Sequence, residues 1–227
     1  MARLGLLAAT GLFGLCGCLG SDFSSFAAGG DVERNVIRTT TLYHGDIVVR
    51  GPEGYCIDRR SLKDRTAQGF VMLASCEALS GVRGQAVEPV IMTLTVLPGK
   101  ADTTPPTATE IAASMPGTQV IKAVEGEGLS LVHFASGGDQ ALAGKDPRHW
   151  RGAMAVNGHL IGLALYARQG GKMAGDDGQS LLTRLAVNTK SASPVRPPVV
   201  ATVTEETSAS PPGSLGTLLG GLFPDSS

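Results

Sequence analysis

The sequence predicts an α+β fold: a mostly antiparallel β-sheet with one short helix and one C-terminal helix packed on it. Apolar and β-branched segments of strand length recur along the chain between turn signals. One such signal, Asn157-Gly158, supplies the two positive-φ residues of a type I′ hairpin turn. Helical periodicity is limited to residues 107–115 and 179–189. We therefore expect a sheet that carries few helices.

Length and charge limit the class of protein. The 227 residues allow one domain of ordinary size with tails at both ends. The formal net charge is only -1, so the chain has no basic field for a nucleic acid, and we expect no nucleic-acid partner. Aromatic residues make up 4% of the chain, which argues against stacking platforms for carbohydrate or single-stranded nucleic acid.

The chain begins with the pattern of a secretory signal. Met1-Ala2-Arg3 provides a positive charge, and the apolar run from Leu4 to Leu15 is too short to span a bilayer. Small residues follow it. We predict that residues 1–17 are a signal peptide and that the mature chain is exported.

The end of this run, Leu15-Cys16-Gly17-Cys18, resembles the lipobox of bacterial lipoproteins. Leu15 occupies the branched apolar position, Gly17 the small position before the cut, and Cys18 the obligatory cysteine; Cys16 stands at a permissive position. The resemblance implies that Cys18 becomes the lipidated N-terminus and carries acyl chains such as palmitate. Two or more chains give stable anchoring, so the implied location is the cell envelope, membrane-anchored and facing the periplasm.

Two other fates of the leader stay open. Signal-peptidase cleavage after Ser25-Phe26-Ala27 would release a soluble periplasmic or secreted protein without a lipid. Alternatively, the leader stays uncleaved and tethers the chain as a helix.

The mature chain divides into a tether, a domain and a tail. Residues 18–31 are rich in Ser, Gly and Ala, which is typical of a flexible tether, and residues 32–190 are predicted as one α+β domain. Residues 191–227 are rich in Ser, Pro and Thr and are predicted as a disordered tail. Within the tail, residues 215–223 form an apolar patch, interpreted either as a docking segment for a partner or membrane, or as an apolar remnant.

The first half of the domain consists of short strand candidates separated by turns. β-branched or apolar runs alternate with turn signals such as Gly51-Pro52-Glu53-Gly54. The predicted strands cover residues 39–43, 46–50, 55–58 and 70–76.

The two cysteines of the domain, Cys56 and Cys76, lie in two of these strands. An even pair in an oxidising compartment predicts a disulfide, which would join the two strands side by side. The alternatives are free buried thiols or metal ligands. Metal ligation needs more neighbouring ligands than this spacing offers, so we expect no metal and no cofactor.

The middle of the domain contains the strongest strand. Residues 89–97 are almost continuously apolar, which predicts a central strand that is covered on both faces. Residues 107–115 follow as a short helix, with Thr107 as its cap and Glu110 three residues on. Residues 118–124 and 129–135 return to strand character.

The Asn157-Gly158 turn fixes the register of the last hairpin. Pairing outward from it places Trp150, Met154, Ile161 and Leu165 on one bulky face, whereas the other face carries mostly small residues. Because small residues let a helix approach closely, the C-terminal helix is expected on the small face, with residues 175–178 as its cap.

Residues that could carry chemistry are scattered. The chain lacks Gly-x-Ser-x-Gly, a complete phosphate loop and a complete dinucleotide fingerprint. His159 is expected to be solvated at the hairpin tip. The densest polar group suggests a ligand-binding rim, read alternatively as a solvated loop; its members are Asp139, Asp146, Arg148 and His149.

The order of several strands, one helix, more strands and a last helix resembles that of the PsbP-like sandwich. This resemblance implies an exported or envelope accessory protein whose fold is not itself a signature of an enzyme. The leading hypothesis is a lipid-anchored envelope protein that acts by binding another envelope component. A periplasmic enzyme of unrecognised type and a soluble secreted accessory factor are the alternatives.

Overall fold

A computed structural model describes residues 36–196, which fold as an α+β structure with a large antiparallel sheet, as the sequence predicts. The described chain has four α-helices: α1 (Cys76–Ser80), α2 (Ala108–Ala113), α3 (Gly138–Ala141) and α4 (Asp176–Ala192). Its strands are β1 (Val36–Ile37), β2 (Thr39–Leu42), β3 (Ile47–Arg50), β4 (Tyr55–Asp58), β5 (Lys63–Asp64), β6 (Gly69–Ser75), β7 (Val90–Val96), β8 (Val120–Gly126), β9 (Leu129–Phe134), β10 (Lys145–Val156) and β11 (His159–Arg168).

Nine of these strands form one sheet. Its order is β1-β4-β6-β7-β11-β10-β9-β8, with β5 paired to β6, and the strand pairs are antiparallel. Strand β7 lies between β6 and β11, so the strongest strand of the sequence is central as predicted. Strands β2 and β3 pair only with each other and form a separate hairpin.

The larger core lies on one side of the sheet, which we call the first face. Here α4 and the β2–β3 hairpin cover the bulky side chains of the sheet strands. The helix contributes Leu181, Leu182 and Leu185, which are buried with Trp150 of β10 and Leu163 of β11.

A smaller core lies on the opposite side, the second face. Helix α2 packs over β8, β9 and β10, where Ile111 is buried with Phe134 and Ala153. The predicted cap of α2 is present: the Thr107 hydroxyl accepts from the Glu110 backbone N–H, and the Glu110 carboxylate accepts from the Thr107 N–H.

The prediction that the C-terminal helix packs on the small face of the last hairpin is wrong. Helix α4 lies on the bulky face, and the short helix α2 takes part of the small one. The helix can approach the sheet closely because of a glycine in the helix, and not because of small residues in the sheet. A Cβ atom on Gly178 would lie 3.1 Å from Cδ1 of Trp150. Trp150 of the sheet thus packs against the helix backbone at Gly178, which has no side chain.

The β10–β11 hairpin has the register that its turn predicts. Val156 pairs with His159 and Trp150 with Leu165, around a turn in which Asn157 has φ 50° and Gly158 φ 78°. His159 itself is only 5% exposed, so the expectation of a solvated residue is wrong. Its ring lies 4.4 Å from that of Tyr43, with Nδ1 2.8 Å from the Leu97 carbonyl oxygen, because distant segments cover the hairpin tip.

The predicted disulfide between Cys56 and Cys76 is present. It joins β4 to the first residue of α1, with a Cα–Cα distance of 4.8 Å. The sequence assigned Cys76 to the end of a strand, whereas the strand ends at Ser75, whose hydroxyl caps α1 by accepting from the Ala78 N–H.

The packed chain extends past residue 190, where the sequence places the end of the domain. Helix α4 continues to Ala192, and the Ser193 hydroxyl accepts from the Val48 N–H and donates to the Thr189 carbonyl. Arg196 then pairs with Asp46 at 2.7 Å. Residues 1–35, with the leader, Cys18 and the whole predicted tether, and residues 197–227, with the apolar 215–223 segment, lie outside the described residues.

Candidate functional site

Two of the four predicted rim residues form an ion pair at the start of β10, and a backbone hydrogen bond links this pair to the end of β11. Arg148 donates from Nε and Nη2 to the two carboxylate oxygens of Asp146, each at 3.0 Å. The backbone N–H of Gly170, just after β11, donates to the same carboxylate at 2.8 Å. The hydrogen bonds from Arg148 lower the pKa of Asp146 to about 2, so its carboxylate stays ionised. Its contacts are those of a structural cross-link.

His149, the third predicted residue, is completely buried in the second face. Its ring stacks between Phe134 and Tyr166, at centroid distances of 5.4 and 5.7 Å. Burial, with repulsion from Arg151, lowers the pKa of His149 to about 4. Because Arg151 Nε donates to Nε2 at 3.2 Å, the proton of the neutral ring is on Nδ1, which lies 3.3 Å from the Pro147 carbonyl oxygen.

Asp139, the fourth, is exposed in the first turn of α3. The structure therefore places the four residues in different surroundings: Asp146 and His149 are buried, Arg148 is half-exposed, and Asp139 is on the surface. Asp146 and Arg148 contact each other directly.

A different feature, on the first face, has the shape of a binding site. A groove of about 270 Å³ runs between α4 and the β8–β9 hairpin, and we call it the α4–hairpin groove. Its volume is close to the lower end of the range for small-molecule pockets. Apolar side chains make up much of its lining: Val124, Leu129, Leu131, Met154, Ala186 and Val187.

Two polar contacts join α4 to the β8–β9 hairpin. Near the start of α4, outside the lining of the groove, Lys122 of β8 pairs with Asp176 at 2.8 Å. Near the end of the helix, Lys190, which lines the groove, donates to the carbonyl oxygen of Glu127 at 3.3 Å. The lining residues of α4 run from Gln179 to Lys190, which corresponds to about 17 Å of helix.

Exposed apolar side chains occur in both elements that form the groove. Val187 of α4 lines the groove and is 50% exposed, and Ile121 of β8, outside the lining, is 49% exposed. Within the described chain, β8 pairs with β9 on one side only, so its other edge ends the sheet. An edge strand beside exposed apolar residues is the arrangement that peptide segments extend by strand addition.

His133 lies close to the start of α4 on the first face. Its ring stacks on Trp150 at 4.4 Å with the planes 7° apart, and its buried Nε2 has no hydrogen-bond partner among residues 36–196. Burial lowers the pKa of His133, although a backbone hydrogen bond with Ala174 acts in the opposite direction. The ring is therefore neutral at neutral pH and serves as an apolar neighbour of the tryptophan.

Two structural features, a metal-binding cluster and a membrane-spanning helix, are absent from the described residues. Within 36–196, no group of three or more His, Cys, Asp or Glu side chains is placed to hold a metal ion. None of the helices in that range combines the length and the apolar character needed to cross a membrane. The sequence did not reveal the groove, because its two walls are separated by about fifty residues and no local motif connects them.

Comparison of this chain with protein-family models, with curated proteins and with solved structures finds no match.

Proposed function

We propose that this protein is a lipid-anchored accessory protein of the bacterial cell envelope that binds another envelope protein through the α4–hairpin groove. The groove is the observation that carries the binding part of this proposal. The Leu15-Cys16-Gly17-Cys18 motif carries the anchoring part, through Cys18. The Cys56–Cys76 disulfide is compatible with an oxidising, extracytoplasmic location.

The anchor and the groove are compatible in one molecule. Val36, the first residue of β1, follows Cys18 by 18 residues, which span up to about 60 Å when extended. Acyl chains on Cys18 would hold the domain near a membrane, while this length of chain lets the groove face a partner away from the bilayer.

The chemistry of the groove favours an extended apolar segment of a protein partner. A strand added along the free edge of β8 would gain backbone hydrogen bonds and place alternate side chains beside Val124 of β8, next to the apolar lining of the groove. Lys190, which lines the groove near the end of α4, would favour a polar residue at that end of the bound segment.

Labelling with radioactive palmitate tests the anchor. The Cys18→Ala variant should take up no label and accumulate as an unprocessed precursor, whereas the matched Cys16→Ala variant should be labelled like the wild type. A mature protein that begins with unmodified Ala28 would instead support the soluble secreted factor and refute the anchor.

Site-specific photo-crosslinking in cells tests the groove. A photo-reactive residue at position 187 should give a crosslinked envelope protein, and the Val124→Lys variant, in the lining of the groove, should reduce its yield several-fold. Val82, which is 59% exposed in the loop after α1, gives the control position. The groove is not the binding surface if positions 82 and 187 capture the same proteins, or if Val124→Lys leaves the yield unchanged.

A further inference from the structure

An open cleft lies where the start of β2 and the end of β3 meet the loop that leads into β4. Its volume is about 420 Å³, which is within the range of small-molecule pockets. We call it the β3–β4 cleft, and its lining includes Arg38, Thr39, Arg50, Glu53 and Tyr55. Among the described residues, none lines both this cleft and the α4–hairpin groove.

The backbone of the β2–β3 hairpin brings two arginines into this lining. Arg50, the last residue of β3, pairs with Thr39, and the N–H of the following Gly51 donates to the Arg38 carbonyl oxygen at 3.4 Å. Both arginines are exposed, and neither side chain forms an ion pair or a hydrogen bond with another residue of 36–196. Two guanidinium groups with free donors in one cleft favour an oxyanion that accepts from both of them.

Hydrogen bonds hold the loop beside these arginines in place. The Gly51 carbonyl oxygen accepts from the Asn188 side chain of α4 at 3.3 Å. The Pro52 carbonyl oxygen accepts from the Tyr55 N–H at 3.0 Å, and the Tyr55 hydroxyl donates to the Glu88 carbonyl oxygen at 2.8 Å. Burial raises the pKa of Tyr55 to about 12, so its phenol stays neutral in the cleft. The cleft is therefore formed before a ligand binds, which lowers the entropy cost of binding.

A carboxylate lines the same cleft. Glu53 is exposed, and its side chain forms no ion pair or hydrogen bond with another described residue. The lining thus combines two positive groups with one negative group that none of them neutralises directly. Such a cleft attracts an anion at the arginines and a cation at Glu53.

We infer that the β3–β4 cleft binds a small ligand in which a phosphate group is joined to a primary amine, the chemistry of phosphoethanolamine. The phosphate accepts hydrogen bonds from Arg38 and Arg50, and the ammonium group donates to Glu53. A phosphate matches two guanidinium groups better than a carboxylate does, because one bidentate arginine already occupies both oxygens of a carboxylate. The inference goes beyond the proposed binding of an envelope protein and depends neither on the groove nor on the anchor.

Calorimetric titration of the full-length protein, purified in a non-ionic detergent, tests the inference. Phosphoethanolamine should bind to the wild type, and Arg50→Gln should weaken this binding by about tenfold or more, because charge-assisted hydrogen bonds are lost. Arg83→Gln, at an exposed position in the loop after α1 and outside the cleft, is the matched control and should bind like the wild type. Because both arginines are exposed, the two variants should melt like the wild type. Absence of phosphoethanolamine binding, or an equal loss in the two variants, would overturn the inference.

The Glu53→Gln variant tests the amine part of the ligand. Wild type should bind phosphoethanolamine several-fold more tightly than inorganic phosphate or β-alanine, and Glu53→Gln should remove the preference over inorganic phosphate. The inference fails if the wild type binds the three compounds equally, or if Glu53→Gln keeps the preference. Glycerophosphoethanolamine, the diester found in lipid headgroups, distinguishes the source of the ligand. Tighter binding of the diester assigns the site to a lipid headgroup, tighter binding of the monoester assigns it to a soluble ligand, and either result supports the inference.

Chemical protection gives a second measurement on the unmodified sequence. Phenylglyoxal modifies exposed arginines, and mass spectrometry of peptides gives the rate at each position. Phosphoethanolamine should slow the modification of Arg38 and Arg50 several-fold and leave the rate at Arg83 unchanged. Equal protection of the three arginines, or protection of none, would overturn the inference. Crosslinking from position 187 reports on the groove alone, so either proposal can fail without the other.

Discussion

At the start of β10, one buried carboxylate receives four hydrogen bonds. Arg148 donates three of them to Asp146, from its backbone N–H, Nε and Nη2, and the Gly170 N–H donates the fourth. The Arg148 side chain is half-exposed and its charge is partly solvated. The Asp146 side chain is buried, so these donors determine the orientation of its carboxylate. Such a group stabilises the fold by fixing where β10 begins and β11 ends.

Replacing this carboxylate should therefore be costly. We expect Asp146→Asn to lower the free energy of unfolding by about 2 kcal/mol, because an amide N–H₂ would face donors and leave buried groups unsatisfied. Chemical denaturation measures the change. Asp139→Asn, in the exposed first turn of α3, should change stability by less than about 0.5 kcal/mol. Equal effects of the two substitutions would show that the Asp146 cross-link does not contribute.

The buried His149 should make stability depend on pH. Its pKa of about 4 lies below the ordinary value of 6.5, so the unfolded chain binds the proton more readily than the folded chain does. The neutral ring makes its full contribution to the free energy of unfolding above pH 6.5. This contribution, about 3 kcal/mol at most, is lost as the pH falls from 6.5 to 4. Below pH 4 this group adds no further change.

Thermal or denaturant unfolding between pH 7 and 4 measures this effect. The His149→Gln variant, which retains an acceptor for Arg151, should lose most of the slope in that range. A residual slope should remain, because burial also lowers the pKa of His133. Asp146 also makes stability depend on pH, because its pKa is lowered to about 2 in the fold. Its contribution is lost in a separate window, as the pH falls from about 4 to 2, and it should persist in His149→Gln. An unchanged profile in His149→Gln would contradict the assignment.

At the scale of elements, the position of α4 depends on Gly178, in its first turn. At an ordinary position inside a helix, replacing glycine by alanine stabilises the helix by about 1 kcal/mol. Here the added Cβ would collide with the Met173 carbonyl oxygen and lie 3.1 Å from the Trp150 ring. We expect Gly178→Ala to destabilise the fold by about 1 to 3 kcal/mol, since packing strain outweighs propensity.

Melting temperatures of Gly178→Ala and of Gly84→Ala test this prediction. Gly84 lies in an exposed loop where a Cβ would meet no atom within 4 Å, so alanine should be nearly neutral there. If Gly178→Ala is as stable as the wild type, α4 does not owe its position to the contact between Gly178 and Trp150.

Elements whose signals are local could be predicted from the sequence. The Asn157-Gly158 turn fixed both the existence and the register of the last hairpin, and Thr107 with Glu110 marked the start of α2. In both cases the determining residues are within a few positions of the backbone that they shape. The five-residue helix α1 has the Ser75 cap and a left-handed Gly81 at its end, and the four-residue helix α3 has no side-chain cap. Neither was predicted, because each helix is too short to show helical periodicity.

Features that depend on distant segments could not be predicted. The sequence of the hairpin shows that one face is bulky and the other small, but it does not show which layer covers each face. The burial of His159 depends on Tyr43 and on Leu97, and the two walls of the α4–hairpin groove come from segments about fifty residues apart. Of the predicted rim residues, Asp146 and His149 are buried by contacts with other elements, which the sequence of their own segment does not show.

At the scale of the whole molecule, a sheet with few aromatic anchors needs constraint at its margins. Among residues 36–196, the two-residue β1 is the one strand beyond β4 on that side of the sheet, and the Cys56–Cys76 disulfide fastens β4 to α1 there. At the β10–β11 turn, Asn157 donates to the Pro194 carbonyl oxygen and Arg196 pairs with Asp46, so the chain after α4 is held against the domain. The disulfide reduces the conformational entropy of the unfolded chain, and the Asn157 and Arg196 contacts restrict the end of the folded chain.

Reduction of the disulfide should therefore destabilise the domain as a unit. The bridge closes a loop with a sequence separation of 20, for which loop-closure entropy predicts a loss of about 3 kcal/mol on reduction. Denaturant unfolding with and without reductant measures this difference in the wild type, and the Cys56→Ala/Cys76→Ala variant should be as weak as the reduced protein and insensitive to reductant. Equal unfolding midpoints for the oxidised and reduced wild type would mean that packing alone holds β4 and α1 together. The disulfide would then contribute nothing to the free energy of unfolding, and the loop-closure argument would not apply to this domain.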